Sequence, residues 1–220
     1  MAQIASRTDY TEERVNGVAN PTPLGLIALA FTTALLGCSF ALFLVPTVRM
    51  GLGLTIPAAL LFGGIVQFLA GMWEFRRGNT VPATIFASYG GFLALLGLFF
   101  LPGSGLVSTY GLNSLALNHA LGLLFLCWLI CIAVFLVAAP RSNLLLTAVL
   151  ALLGLAFLFL TIGEFANANI VLLMIGGWLA IVCALVAWYA ALVHLLAASH
   201  STLRVPMGQE HHQQQMAHNV

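Results

Sequence analysis

Apolar residues run almost unbroken from residue 23 to residue 197, and the breaks between them are short and rich in Gly, Pro and Asn. Six apolar spans can be drawn, at 23–45, 56–75, 81–101, 117–139, 143–165 and 170–197. Each holds about 20 residues or more, enough for a helix to cross a hydrocarbon core of about 30 Å. The pattern predicts an all-α integral membrane protein, a bundle of six transmembrane helices. The breaks carry helix punctuation. Asn20, Pro21 and Pro23 stand before span one, where Pro suits a first helical turn and Asn satisfies orphan N–H groups. Thr55 is placed to cap span two with Pro57 in its first turn, and Thr80 to cap span three. The stretches "EFRRGNTVP", "APRSN" and "FANAN" read as tight turns, and "PGSGLVSTYGLNS" as the longest internal connection. Residues 1–19 and 200–220 are poor in apolar groups and read as mobile tails around a transmembrane domain at 20–199.

Composition sharpens this picture. The chain is 61% hydrophobic and 6% charged, against about 25% charged in a soluble domain. It has no Lys, and a net charge of +1 gives no reason to expect a nucleic-acid partner. Six crossings put both termini on one side. That side collects Arg7, Arg14, Arg76, Arg77, Arg141 and Arg204, and the other has only Arg49. The excess of basic residues places both termini in the cytoplasm. Cys38, Cys127, Cys131 and Cys183 all fall within apolar runs, with no metal-type Cys/His spacing. His211, His212 and His218 read as solvated tail residues, so no metal and no cofactor is expected. The chain has no GxSxG, phosphate-binding loop or HExxH, and its acidic groups are scattered in depth, so an enzyme is not expected.

Polar side chains kept inside a membrane bundle mark pathways, partners or helix contacts. Residues three or four apart share a helix face. Span one then presents Gly25, Leu29, Thr32, Thr33 and Leu36 together, and span two presents Gly63, Gln67, Gly71 and Glu74. Span three aligns Phe86, Tyr89 and Leu93 with Ser88 beside them, and span five aligns Leu153, Phe157, Leu160 and Glu164. In the competing reading the threonines bond their own backbone carbonyls or a neighbouring helix, the glycines are packing notches, and Glu74 pairs with Arg76 or Arg77. Four helices with mixed polar and bulky faces still favour a narrow lined path.

The quoted motifs then resemble a known family. "NPTPLGL", from Asn20 to Leu26, resembles the Asn-Pro-Ala-Pro-Leu-Gly-Leu signature of the acetate uptake transporters, the acetate/succinate permease family. "FGGIVQFLAG", "EFRRGNT", "ASYGGF" and "TIGEFANANIVLLMIGGW" resemble later family segments in the same order. The resemblance implies a six-helix protomer, assembled as a homo-hexamer, with one path per protomer for acetate and other short carboxylates, succinate among them. It also implies a constriction of three bulky side chains, carried over to Leu29, Tyr89 and Leu153. Two departures stand out: Thr22 replaces the signature's Ala, and Leu29 stands where an aromatic residue is expected. Glu164 stands where some relatives carry Asn.

The expected mechanism follows from charge. No Lys or Arg lies within the spans away from their ends, and burying an unpaired carboxylate is costly. Neutral donors from Asn20, Thr32, Thr33, Gln67, Ser88 and Tyr89 would replace part of the anion's water shell, or acetate would move with a proton. Glu74, Glu164, His119 and His194 are the ionisable candidates at span depth apart from terminal Arg, Tyr and Cys groups, and of these Glu74 and Glu164 are the candidate proton-linked groups. The Asn-Pro-x-Pro bend would fix a helix N-terminus that favours anions. The expected location is the inner membrane of a bacterium, or the plasma membrane of a eukaryote. A channel for formate, lactate or ammonia, and a non-transporting scaffold or sensor, are the competing readings.

Overall fold

The computed structural model describes residues 18–104, 107–110, 113–139 and 144–199. Arg7, Arg14, Arg141, Arg204, the tail histidines and most of "APRSN" lie outside the described residues. The described chain forms α1 (Thr22–Ala41), α2 (Val48–Ala58), a π-helical segment (Ala59–Val66), α3 (Gln67–Arg76), α4 (Thr80–Phe100), α5 (Ser114–Ala138), α6 (Leu144–Phe165) and α7 (Ile170–Ala198). A 3-10 turn at Ser108–Tyr110 precedes α5. Six rods are long and apolar enough to cross a membrane, with the second running from Gly51 to Arg76 through the π segment. The protein is a multi-pass membrane protein.

Two boundaries differ from the sequence pattern. Span one ends at Ala41 rather than 45 because Leu42 turns left-handed (φ 54°) and its N–H bonds the Cys38 carbonyl. Pro46 also steers the residue before it away from helix. Helix α2 starts at Val48, three residues before the membrane-length stretch, so "RMGLGLTIP" is helix and Pro57 lies inside it. Thr55 is therefore no cap. It is buried in mid-helix, where its hydroxyl donates to the Gly51 carbonyl and pairs with Ser39 at 3.0 Å. Asn79, not Thr80, occupies the cap position of α4. Asn169 caps α7, its side chain accepting from the Val171 and Leu172 N–H groups.

Helix α1 packs along α7, α7 along α6, α6 along α5, and α3 along α4. Close approach rests on absent side chains. A Cβ on Gly71 would stand 2.5 Å from the Ala87 backbone nitrogen, so α3 lies directly on α4. Large apolar side chains such as Leu61, Ile65, Val134 and Leu185 remain exposed on the outer faces, as expected where lipid is the solvent. The end holding Thr22, Arg76, Thr80 and His194 is called the near end below, and the opposite end the far end.

Candidate functional site

At the near end a carboxylate is held with no ion pair among the described residues. Glu74 ends α3 fully buried. The Thr22 hydroxyl donates to one of its oxygens and the Asn79 amide donates to the other at 2.7 Å. Hydrogen bonds to a charged acceptor are stronger than neutral ones, so this carboxylate is well satisfied. The two neighbouring arginines point elsewhere. Arg77 donates to the Asn20 side-chain oxygen at 2.6 Å, and Arg76 lies over the Trp73 ring at 5.6 Å. Asn20 also accepts from the Thr22 N–H at 3.1 Å. Its oxygen thus fixes the bend before α1 and ties it to the end of α3.

Midway along the bundle lies a closed apolar layer. Leu29 from α1, Tyr89 from α4 and Leu153 from α6 belong to one buried cluster, each at 2% exposure or less. Tyr89 is held on two sides. Its hydroxyl pairs with that of Thr33 at 2.9 Å. Its ring stacks with Phe92 (5.9 Å) and Trp128 (5.4 Å), which stack on each other at 4.6 Å. Phe157 meets Phe92 and Phe125 edge-on behind them.

In and beside this layer four polar atoms have no partner among the described residues. The Thr32 hydroxyl, both amide heteroatoms of Gln67 and the indole N–H of Trp128 are buried and unpaired. Gly63, one turn from Gln67 on the same face, leaves room for Thr32: a Cβ there would stand 2.7 Å from the Thr32 hydroxyl. Gln67 is also the first residue after the π-helical segment, a distortion that often marks functional positions. An orphaned buried polar group costs about 1–3 kcal/mol. Four together therefore call for a function.

The remaining predicted residues are placed as follows. Ser88 turns its hydroxyl back onto its own helix, donating to the Thr84 carbonyl and, at 3.3 Å, to that of Ile85. Glu164 is buried near the far end of α6, at the opposite end of the bundle from Glu74. His119, near the start of α5, lies 6.0 Å from the Phe165 ring. His194 borders an open recess at the near end together with Thr22. Sequence reasoning did not assign roles to Thr22, Asn79, Phe92 or Trp128. The Thr22 departure within the signature was the available signal. Asn79 reaches Glu74 across a tight turn and Phe92 stacks on Tyr89 within α4, whereas the Trp128 contact joins two helices and no single-helix periodicity contains it.

These features define a class: a multi-pass membrane protein whose interior holds a buried aromatic and apolar cluster with unpaired polar groups beside it. The chain belongs to the GPR1/FUN34/yaaH family, whose model matches residues 4–209. It is 37% identical over 182 residues to Accumulation of dyads protein 2 of Saccharomyces cerevisiae, covering 80% of this chain and 61% of that protein. It is 31% identical over 199 residues to the succinate-acetate/proton symporter SatP of Escherichia coli, covering 88% of this chain and 97% of that one. A solved structure of the bacterial acetate channel SatP superposes with a TM-score of 0.73 at 28% identity, over 87% of this chain and 99% of that one. The chain spans about six tenths of the length of the first fungal relatives it matches.

Proposed function

We propose that this protein moves acetate and other short carboxylates, succinate among them, across a membrane through a path within each protomer. The family membership and the relatives named for acetate and succinate support this reading. The observation that carries it within the molecule is the orphaned Gln67 amide and Thr32 hydroxyl in the same interior as the Leu29–Tyr89–Leu153 layer. An amide N–H and a hydroxyl are the donors a carboxylate needs when it leaves water. The apolar layer then passes a methyl group more readily than a longer chain.

Movement is coupled to protons. No arginine lies within the spans away from their ends, so a bare anion has no internal counter-charge. Glu74 and Glu164 stand at the two ends of the bundle as proton-linked groups. The near end faces the cytoplasm, in keeping with Arg76 and Arg77 there and with the excess of Arg on that side. The protein works as a homo-hexamer, as the family resemblance implies, in the inner membrane of a bacterium or the plasma membrane of a eukaryote. Uptake of labelled acetate into proteoliposomes, with and without an inward proton gradient, tests the coupling. The gradient is expected to drive accumulation above equilibrium. Equal uptake with and without it would refute coupling.

A further inference from the structure

The three residues of the closed layer each have a bulky apolar residue three positions earlier: Leu26 before Leu29, Phe86 before Tyr89 and Leu150 before Leu153. Helices α1, α4 and α6 all start at the near end. Three residues back therefore moves about 4.5 Å toward that end on every helix. Leu26, Phe86 and Leu150 are each at 3% exposure or less and belong to one buried cluster, distinct from that of Leu29, Tyr89 and Leu153. Another turn nearer the end, Thr22, Pro82 and Leu146 border the recess together with His194, and Leu26 and Phe86 form its inner wall.

The two layers are held differently. Tyr89 is fixed by its hydroxyl pair and two stacked rings. Phe86 has no hydrogen bond and, among the described residues, no ring partner. It lies against Gly25, where a Cβ would stand 2.6 Å from two of its ring carbons. Beside it lies the recess, bordered also by Thr22, Pro82 and His194 and open on one side. Close-packed interiors forbid a large ring to swing unless space adjoins it, and the Phe86 ring borders this opening.

We infer that Leu26, Phe86 and Leu150 form a second closure of the path, in which the Phe86 ring is the moving door, while Leu29, Tyr89 and Leu153 form a fixed sieve. This rests on the transport reading above. A door limits passage of every solute alike, because its opening precedes selection. A sieve sets the ratio between solutes.

Two measurements test it. In the first, labelled acetate and propionate uptake are compared in proteoliposomes for wild type, Phe86→Leu and Tyr89→Ala. Phe86→Leu is expected to raise both rates in equal proportion, by about threefold to tenfold if the door is rate-limiting. Tyr89→Ala is expected to raise propionate relative to acetate. In the second, Leu29→Cys is made with Cys38, Cys127, Cys131 and Cys183 replaced by Ala, and a membrane-impermeant thiol reagent is applied at the near end. Adding Phe86→Leu is expected to speed labelling about tenfold, as a gate's removal would. Labelling does not depend on which solute is carried. Wild type that moves neither acid would thus defeat the transport reading, while labelling still judges the door. Unchanged labelling, or a Phe86→Leu that shifts the acid ratio as Tyr89→Ala does, would overturn the proposal.

Discussion

At the scale of single residues, the molecule spends its hydrogen bonds unevenly. Glu74 receives two side-chain donors, whereas Gln67 receives none. Removing the hydroxyl at position 22 should therefore matter. Thr22→Val is expected to cost about 1.5–3 kcal/mol, the usual worth of a hydrogen bond to a charged group, read as a lower melting temperature of the purified protein. Thr22→Ser should retain most of it. Sequence periodicity put Thr32, Thr33, Gln67 and Glu74 on inward faces, and all four are buried. It could not say who bonds whom. The Thr33–Tyr89 and Thr22–Glu74 pairs join residues 56 and 52 positions apart, and a one-dimensional pattern holds no information on which faces meet. Ser88 shows the opposite limit. Its position beside Tyr89 suggested a path-lining hydroxyl, but its own helix carbonyls are the nearest acceptors.

At the scale of elements, glycine decides how closely helices approach. Gly71→Ala would place a methyl group against the α4 backbone, which cannot give way as a side chain can. Overpacking of this kind typically costs about 1–3 kcal/mol, so this variant should show a clear loss of melting temperature, whereas Gly91→Ala, which meets nothing within 4 Å, should not. The stack of Phe92 and Trp128 belongs to the same scale. Trp128→Leu removes one of the rings that clamp Tyr89, and uptake assays should show propionate gaining on acetate. The six rods themselves were legible, because about 20 apolar residues between Gly and Pro breaks have few other uses. The start of the second rod was not. Pro57 reads as a first-turn residue, but the chain accommodates it within a helix that continues into a π segment.

At the scale of the whole molecule, polarity is sorted by depth. Satisfied charge sits at the near end, an apolar stack occupies the middle, and Glu164 lies toward the far end. If Glu164 is proton-linked, Glu164→Gln should abolish stimulation of uptake by an inward proton gradient while leaving downhill exchange of acetate intact. The candidate site as a whole was legible only in part. Periodicity aligned the stripes, and the family resemblance chose three of their residues as a constriction, but the Trp128 ring stacked on Tyr89 comes from α5, a helix whose apolar pattern has no polar stripe to mark it. The central claim is that Gln67 is kept buried and unpaired because a carboxylate uses it. The direct measurement is Gln67→Leu against wild type, with melting temperature and saturable acetate uptake taken on the same preparation. Replacing an orphaned amide by an apolar side chain of similar size should leave stability equal or higher, since a penalty of about 1–3 kcal/mol is relieved. The account predicts that uptake falls at least about tenfold in that equally stable protein, the pattern of a group retained for function at a cost in stability. Uptake at the wild-type rate would contradict it.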